Sequence, residues 1–398
     1  MKILVVNSGS SSLKFTMFDM DDHSELCKGV VERIGMDFPN LVYQRGKEDK
    51  IETKLAIKTH SEALKVVCQK LIDPDCGVLK SLKEVDAIGH RVLHGGSTYT
   101  KPIIVNQAVK DGIRHCIPFG PLHNPANLGG IEACESVFPG VENVAVFDTA
   151  FHQTMKPEAY MYAIPRTYYE KFGIRKYGFH GTSHQYVYYK SCEFLKLDPK
   201  KAKIITCHLG NGSSLAAVDG GNVVDTSMGL TPLMGLVMGT RCGDLDPAVV
   251  PFLMKQTGCT PEEMDVMMNK KSGLLGVSEY SSDMRDILGA SKEGNVKAQQ
   301  ALNMFLHRLI HYIGGYYLML GGVDAIVFTG GIGENSDPVR KMITERLAVL
   351  GIKLDEKAND THGKQIVIST PDSKIKLLVM PTNEELMIAM EAQKLTTK

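Results

Sequence analysis

Tryptophan is absent from this chain of 398 residues, and neither sign of charge prevails: 45 Lys and Arg stand against 45 Asp and Glu. The first absence says little. The second removes any global basic field able to hold a nucleic acid or an anionic membrane, so phosphate binding has to come from local groups. No stretch approaches the roughly 20 apolar residues of a spanning helix. Residues 1–7 hold too short an apolar run for a signal peptide. The nine cysteines are odd in number, scattered and without a CxxC pair. That pattern suits reduced thiols in a cytoplasmic setting better than a disulfide framework.

What is present suits a globular chain, 43% hydrophobic and 23% charged. The length is too great for one ordinary core and predicts two domains. Residues 2–6 form a β-branched, apolar run that ends in Asn7-Ser8-Gly9-Ser10-Ser11-Ser12-Leu13-Lys14, and residues 13–18 resume an extended pattern. Strand, tight turn, strand is the natural reading. Residues 203–207 are a second such run, followed by His208-Leu209-Gly210-Asn211-Gly212-Ser213-Ser214 and a further strand pattern. The two stretches read as one motif used twice, each opening half of the chain. A third Gly-rich segment, Gly330-Gly331-Ile332-Gly333-Glu334-Asn335, stands between a strand at 323–328 and a helix from about 336 to 350. Helices are also expected over 243–257, 260–269, 294–320 and 383–394, a strand over 374–380, and a peripheral hairpin or insertion over 37–60. Strands alternating with helices give an α/β class.

Gly-rich turns let backbone approach a ligand closely, and their successive N–H groups form anion nests. The first turn lacks the GxxxxGK[ST] spacing and the third lacks GxGxxG, so neither a Walker A loop nor a dinucleotide fold is expected. The third turn's context suits a nucleotide lying against a helix N-terminus. A single turn of this kind reads equally well as a solvated hairpin. Three in one α/β chain, two on hairpins, suggest the actin, sugar-kinase and Hsp70-like (ribonuclease H-like) architecture: two related domains with an ATP cleft between them. The expected boundaries are 1–150, completed by 386–398, and 151–385.

Several clusters interrupt the hydrophobic pattern. Arg91 follows an apolar strand in Gly89-His90-Arg91-Val92-Leu93-His94-Gly95-Gly96, and Asp148 follows another in Phe147-Asp148-Thr149-Ala150-Phe151-His152. Strand ends are where α/β proteins present reactive groups. His180 and His184 sit in Tyr177-Gly178-Phe179-His180-Gly181-Thr182-Ser183-His184, and Arg241 in a Gly-rich turn. Singly, each reads as readily as a satisfied polar turn residue. His307 and His311 are four apart on a helix but lack the Glu of a zincin, and fit a surface better.

In family order across nearly the whole chain, these stretches, with Gly239-Thr240-Arg241-Cys242-Gly243-Asp244-Leu245-Asp246-Pro247 and Thr382-Asn383-Glu384-Glu385, resemble the acetate kinase family. The resemblance implies reversible, direct in-line transfer of the ATP γ-phosphate to acetate, giving acetyl phosphate and ADP. It implies that Asn7 and Glu384 hold Mg²⁺, largely through water, with Mn²⁺ able to substitute. Lys14 would meet the nucleotide phosphates, and the nucleotide would lie along His208, Leu209, Gly210, Asn211 and Gly212, along Asp283, Met284 and Arg285, and along Gly331, Ile332, Gly333, Glu334 and Asn335. Arg91 and Arg241 would grip the substrate carboxylate and the phosphoryl group, His180 would hydrogen-bond that group, and Asp148 would be the catalytic acidic residue. Val92, Leu93, Leu122, Phe179 and Pro232 would wall a methyl-sized pocket, unless they simply pack the core. A homodimer is implied, with the 294–320 helix as a plausible surface.

A carboxylate is already ionised at pH 7 and needs no general base. Asp148 is then better cast as an organiser of Arg91, of metal-bound water or of the nucleophile. The alternatives are a propionate- or butyrate-type acid kinase, a sugar or alcohol kinase of the same architecture, and an ATP-binding switch or chaperone-like module.

Overall fold

A computed structural model describes residues 1–397. They form two compact units, 1–151 with 383–397, and His152–Thr382. The sequence reading placed residue 151 and residues 383–385 one domain differently. Residues 384 and 385 open the helix Glu384–Thr396, whose buried face packs in the first unit, and they go with it.

The first unit holds β1 (Lys2–Ser8), β2 (Ser12–Asp19), β3 (Ser24–Glu32), β4 (Asn40–Arg45), β5 (Ile51–Lys54), β6 (Ala87–Val92), β7 (Ile103–Ile104) and β8 (Glu142–Phe147), in the sheet order β5-β4-β3-β2-β1-β6-β8-β7. β1 to β5 run as an antiparallel meander, β1, β6 and β8 are parallel, and β7 is antiparallel to β8. The second unit holds β9 (Lys203–Leu209), β10 (Ser213–Asp219), β11 (Asn222–Thr226), β12 (Ala325–Thr329), β13 (Ile366–Val367) and β14 (Lys376–Val379), ordered β11-β10-β9-β12-β14-β13. Its strand directions match those of β3-β2-β1-β6-β8-β7 one for one. The short motif repeat at Lys2 and Lys203 is therefore the visible remnant of a whole repeated sheet. β4 and β5 extend one edge of the first sheet and lie in the 37–60 stretch read as an insertion.

Both faces of the central strands β1, β6, β8, β9 and β12 are covered, which is why these strands read as continuous apolar runs. Along β1, Leu4 and Val6 face the helices His60–Leu71 and Asn124–Val137, while Ile3 and Val5 face Glu384–Thr396. Gly89 of β6 lies under that last helix: a Cβ there would stand 2.6 Å from Ile388 Cγ2. In the second unit the 25-residue helix Val296–Leu320 buries Leu302, Phe305, Leu309 and Ile313 against Ile205, Cys207 and Leu215.

Some boundaries differ from expectation for local reasons. The helix expected over 243–257 begins only at Val249, because Gly243 adopts φ +70° and Asp246 Oδ1 accepts the Ala248 N–H. The helix expected over 336–350 runs Asp337–Arg346 and then tightens into a short 3₁₀ turn. The helix expected over 260–269 is Pro261–Lys270, with Thr260 and Glu263 forming its capping box.

Candidate active site

In the first unit the parallel register sets Arg91 beside Val146 and Val92 beside Phe147, so Arg91 and Asp148 leave neighbouring strand ends together. Arg91 donates to Asp148 through Nε (3.1 Å to Oδ1) and through Nη2 to Oδ2. This fork is a bidentate, charge-assisted pair with Asp148 wholly buried. Glu384, at the start of the last helix, brings Oε2 to 3.7 Å from Arg91 Nε. Burial works to lower the Arg91 pKa, but Asp148 and Glu384 outweigh it and raise it. Burial lifts the Glu384 carboxyl to about 7; Arg91 opposes this, and Asp148 and Glu385 add to it. Arg91, helped by Lys14, thus faces three carboxylates, Asp148, Glu384 and Glu385, and the site is short of positive charge.

Asn7 of β1 lies opposite Lys14 of β2 across the first turn, where the Gly9 N–H donates to the Ser12 carbonyl at 2.8 Å. Lys14 is exposed and lines a 220 Å³ depression with Lys28, Lys50 and Glu385. Asn124 and Asn127, which the sequence reading missed, hold these strand ends in place. Asn127 accepts the Leu93 N–H and donates to the Ser8 carbonyl, while Asn124 bonds both backbone groups of His94. Of the expected pocket wall, Val92 is core with Phe147 and Ile131, Leu93 is buried, and Leu122 is 61% exposed.

In the second unit the β9–β10 turn closes through the Gly210 N–H, which donates to the Gly212 carbonyl (3.1 Å) and to Ser213 Oγ (3.2 Å). Arg241's loop is pinned to that turn by the Gly239 N–H donating to the Asn211 carbonyl at 3.0 Å. A point one bond beyond the Gly212 Cα lies 3.4 Å from Arg241 Nη1 and 3.6 Å from His180 Nε2, so the two side chains converge there. Arg241 donates to the Pro232 carbonyl (3.3 Å), and no carboxylate pairs with it among the described residues. Burial lowers its pKa from the ordinary value. Phe179 is buried, and its carbonyl accepts from His152 Nε2 at 2.9 Å. His180 takes a left-handed conformation (φ 55°) just before the helix Gly181–Leu195. Strain of that kind persists only where the surroundings hold it, and it clusters at functional sites. The His180 ring stacks on His208 at 4.2 Å between centroids.

Gly210, Asn211, Asp283, Met284, Arg285, Gly331, Ile332 and Asn335 line one cavity of about 870 Å³, large enough for a nucleotide. Lys292 and Pro338, unnoticed in the sequence, line it too. Asp283 caps the helix Met284–Lys292 and forks with the exposed Arg285 (2.6 and 3.0 Å). His208, Leu209, Gly212, Gly333 and Glu334 do not line the cavity. Glu334 Oε1 instead accepts from the Gly330 N–H (2.8 Å), Thr329 Oγ1 (3.2 Å) and the Thr382 N–H (3.2 Å). The first helical N–H, expected to face a nucleotide phosphate, is therefore filled by the chain's own carboxylate. Arg340, fully buried, holds this element from behind by donating to the Gly333 carbonyl (3.0 Å) and to Asn359. No signal in the sequence set Arg340 apart from other helix-face arginines.

All nine cysteines are free, and no helix among the described residues is long and apolar enough to cross a membrane. The acetokinase family model matches residues 2–390. The chain is 55% identical over 395 residues to an acetate kinase from Finegoldia magna, covering 99% of this chain and 100% of that one. Among solved structures, an acetate kinase from Porphyromonas gingivalis matches with a TM-score of 0.96 at 44% identity, covering 100% of both chains. A propionate kinase from Francisella tularensis matches at 0.92 and 41%, covering 99% of both. The paired sheets, the buried arginine fork and the Gly-rich cavity thus come with matching sequence from end to end, and this chain belongs to the acetokinase family.

Proposed function

We propose that the chain transfers the γ-phosphate of ATP to acetate, forming acetyl phosphate and ADP, and runs the reaction in both directions. The observation that carries this reading is Arg241, half-buried without a carboxylate partner and converging with His180 over Gly212, on a loop pinned to the turn that lines the nucleotide-sized cavity. An unpaired cation in such a place suits an anion that is absent until substrate binds. In-line transfer spreads charge over the equatorial oxygens, and one preorganised donor aimed at such charge is worth about 10²–10³-fold in rate.

The first unit supports the acceptor role. Two of the five Arg91 donors are taken by Asp148, which fixes the guanidinium plane and leaves the other edge free for a carboxylate. Asp148 organises Arg91 and removes no proton, since the nucleophile is already charged. The excess of buried carboxylate over cation at Glu384 suits a divalent ion. No group of three or more His, Cys, Asp or Glu fit for a metal occurs among the described residues. So thin a set suits Mg²⁺, which keeps most of its waters, and Asn7 and Glu384 would hold it, with Mn²⁺ substituting through the same oxygen ligands. Bound there, the ion supplies neutralisation of phosphate charge. Lys14, His208, Gly331 and their neighbours act on the nucleotide in this reading. Leu93, Leu122, Phe179 and Pro232 bound the acyl group.

The chain acts in the cytoplasm as a homodimer in this reading, which the exposed Leu318 and Met319 on the long helix support. The test is hydroxamate trapping of acyl phosphate with ATP, Mg²⁺ and acetate, propionate, butyrate or a sugar. Acetate should give the highest kcat/KM. Propionate should follow within the roughly 10–200-fold that one methylene discriminates. A higher kcat/KM for butyrate, or ATP turnover without trapped acyl phosphate, would overturn the assignment.

A further inference from the structure

Behind His180 runs a line of hydrogen bonds reaching away from the site. His180 Nδ1 lies 2.9 Å from Ser214 Oγ, Ser214 Oγ lies 2.8 Å from His184 Nε2, and His184 Nδ1 lies 2.7 Å from Thr206 Oγ1. Ser214, His184 and Thr206 are all completely buried. We propose that Thr206, His184 and Ser214 are a relay that fixes the tautomer of neutral His180, keeping its proton on Nε2, where a phosphoryl oxygen accepts it. This rests on the reading of His180 as a donor to the transferring group; its first test does not.

The argument is one of proton counting. His184 is neutral, because burial, with His152 and His208 nearby, holds its pKa well below 6.5. A neutral imidazole donates through one nitrogen and accepts through the other, and each hydroxyl has a single proton. If every contact carries one proton and no buried hydroxyl proton is left unbonded, the protons along the line all point the same way. If Thr206 donates to His184 Nδ1, His184 donates from Nε2 to Ser214, and Ser214 donates to His180 Nδ1. His180 then carries its own proton on Nε2, the atom that converges with Arg241 over Gly212. In the opposite order the Thr206 proton is left with the Ala216 carbonyl at 3.5 Å, outside the 2.5–3.0 Å span of an O–H···O bond. A buried hydroxyl would be almost unbonded, so the first order is favoured. Arg241 converges with His180 over Gly212, and the His208 ring stacked at 4.2 Å on His180 bonds Ser183 Oγ through its own Nδ1 (2.8 Å). With its proton on Nε2, His180 presents a donor on the atom that converges with Arg241 over Gly212.

The relay makes Ser214, His184 and Thr206 positioning residues. Thr206 is two groups removed from His180 and touches it nowhere in this line, which makes it the best probe. Long-range ¹H–¹⁵N correlation of histidine-labelled full-length protein, without ligands at pH 7.5, reports which ring nitrogen is protonated. The His180 signals are assigned by their loss in His180→Gln. Wild type should show His180 protonated at Nε2, with Nδ1 an acceptor. Thr206→Val, close in shape, should raise the Nδ1-protonated population and lower kcat about tenfold, the worth of one ordinary hydrogen bond, with KM for ATP unchanged. Thr206→Ser, which restores the hydroxyl, should return both signals and rate. Ser214→Ala should act in the same direction and serves if Thr206→Val does not fold. A wild-type His180 protonated at Nδ1 would overturn the relay, as would His180 signals in Thr206→Val matching those of wild type. If the tautomer shifts as expected while kcat holds, the relay exists and it is the reading of His180 as a donor to the phosphoryl group that fails.

Discussion

Replacing Asp148 by Asn changes one oxygen to an amide and removes one charge, yet it should cut turnover by about 10²–10³-fold. Asp148 is completely buried and accepts both forked donors of Arg91. An amide turns one of those acceptors into a donor facing a donor, so one of the two bonds is lost and the guanidinium plane is released. Glu384, 3.7 Å away, becomes the nearest anion, and Arg91 should swing toward it. Breaking a buried pair costs about 3–5 kcal/mol, and Glu384 holds this case near the lower end. For a unit of this size, about 3 kcal/mol corresponds to a fall of about 6–12 °C in Tm. The catalytic loss should be greater than stability accounts for. An Arg91 no longer aimed at the carboxylate and the developing charge should cost about 10²–10³-fold in kcat at a temperature where the variant is fully folded. KM for ATP should hold, since the cavity lining is drawn from the second unit. The assay pairs calorimetry with hydroxamate-trapped turnover. Asp148→Asn with kcat within about threefold of wild type would refute the view that Asp148 sets Arg91. Replacing both residues by Leu should restore part of the stability and none of the activity.

Arg241→Ala should keep nucleotide binding, measured by calorimetric titration, while kcat falls by about 10³-fold; near wild-type turnover would remove Arg241 from the transition state. His90 and His152 are buried and neutral, and burial holds both pKa values down at about 4. The unfolded chain takes up a proton on each near pH 6.5, so stability falls as pH drops through the window from about 6.5 to 4. Each should cost about 1.6 kcal/mol between pH 6.5 and 5. His90→Gln should flatten the slope of urea stability with pH by about one proton. Gly330→Ala places a Cβ 2.8 Å from the Leu209 carbonyl at φ +76°. It should cost about 1–3 kcal/mol and raise KM for ATP with little change in kcat; an unchanged KM would show that the third Gly-rich turn does not shape the cavity.

How much of this was legible in sequence follows the range of each interaction. The turns at Asn7–Lys14 and His208–Ser214 declare themselves because Gly and Ser act within a few residues, and the capping box at Thr260 does so for the same reason. The repeat of a whole sheet did not. Only the opening strand and turn keep a common sequence, whereas the matching of β6, β8 and β7 with β12, β14 and β13 lies in strand order. The Gly330 helix start was read as open to phosphate because the context fits one, and only the fold shows Glu334 turning back to fill it.

By itself the sequence determined the class of chemistry: Gly-rich turns, an arginine at a strand end, another in a Gly-rich turn and a histidine in a Gly-flanked segment, in one family's order. Short-range backbone preference and residue chemistry suffice for that. The tertiary structure alone decided which groups meet. Arg91 reaches Asp148 across 57 positions because β6 and β8 run parallel in one register, and Glu384 joins them because a helix nearly 300 residues on packs over Gly89. The proton order behind His180 depends on three residues from three elements, each an ordinary buried polar group when read along the chain.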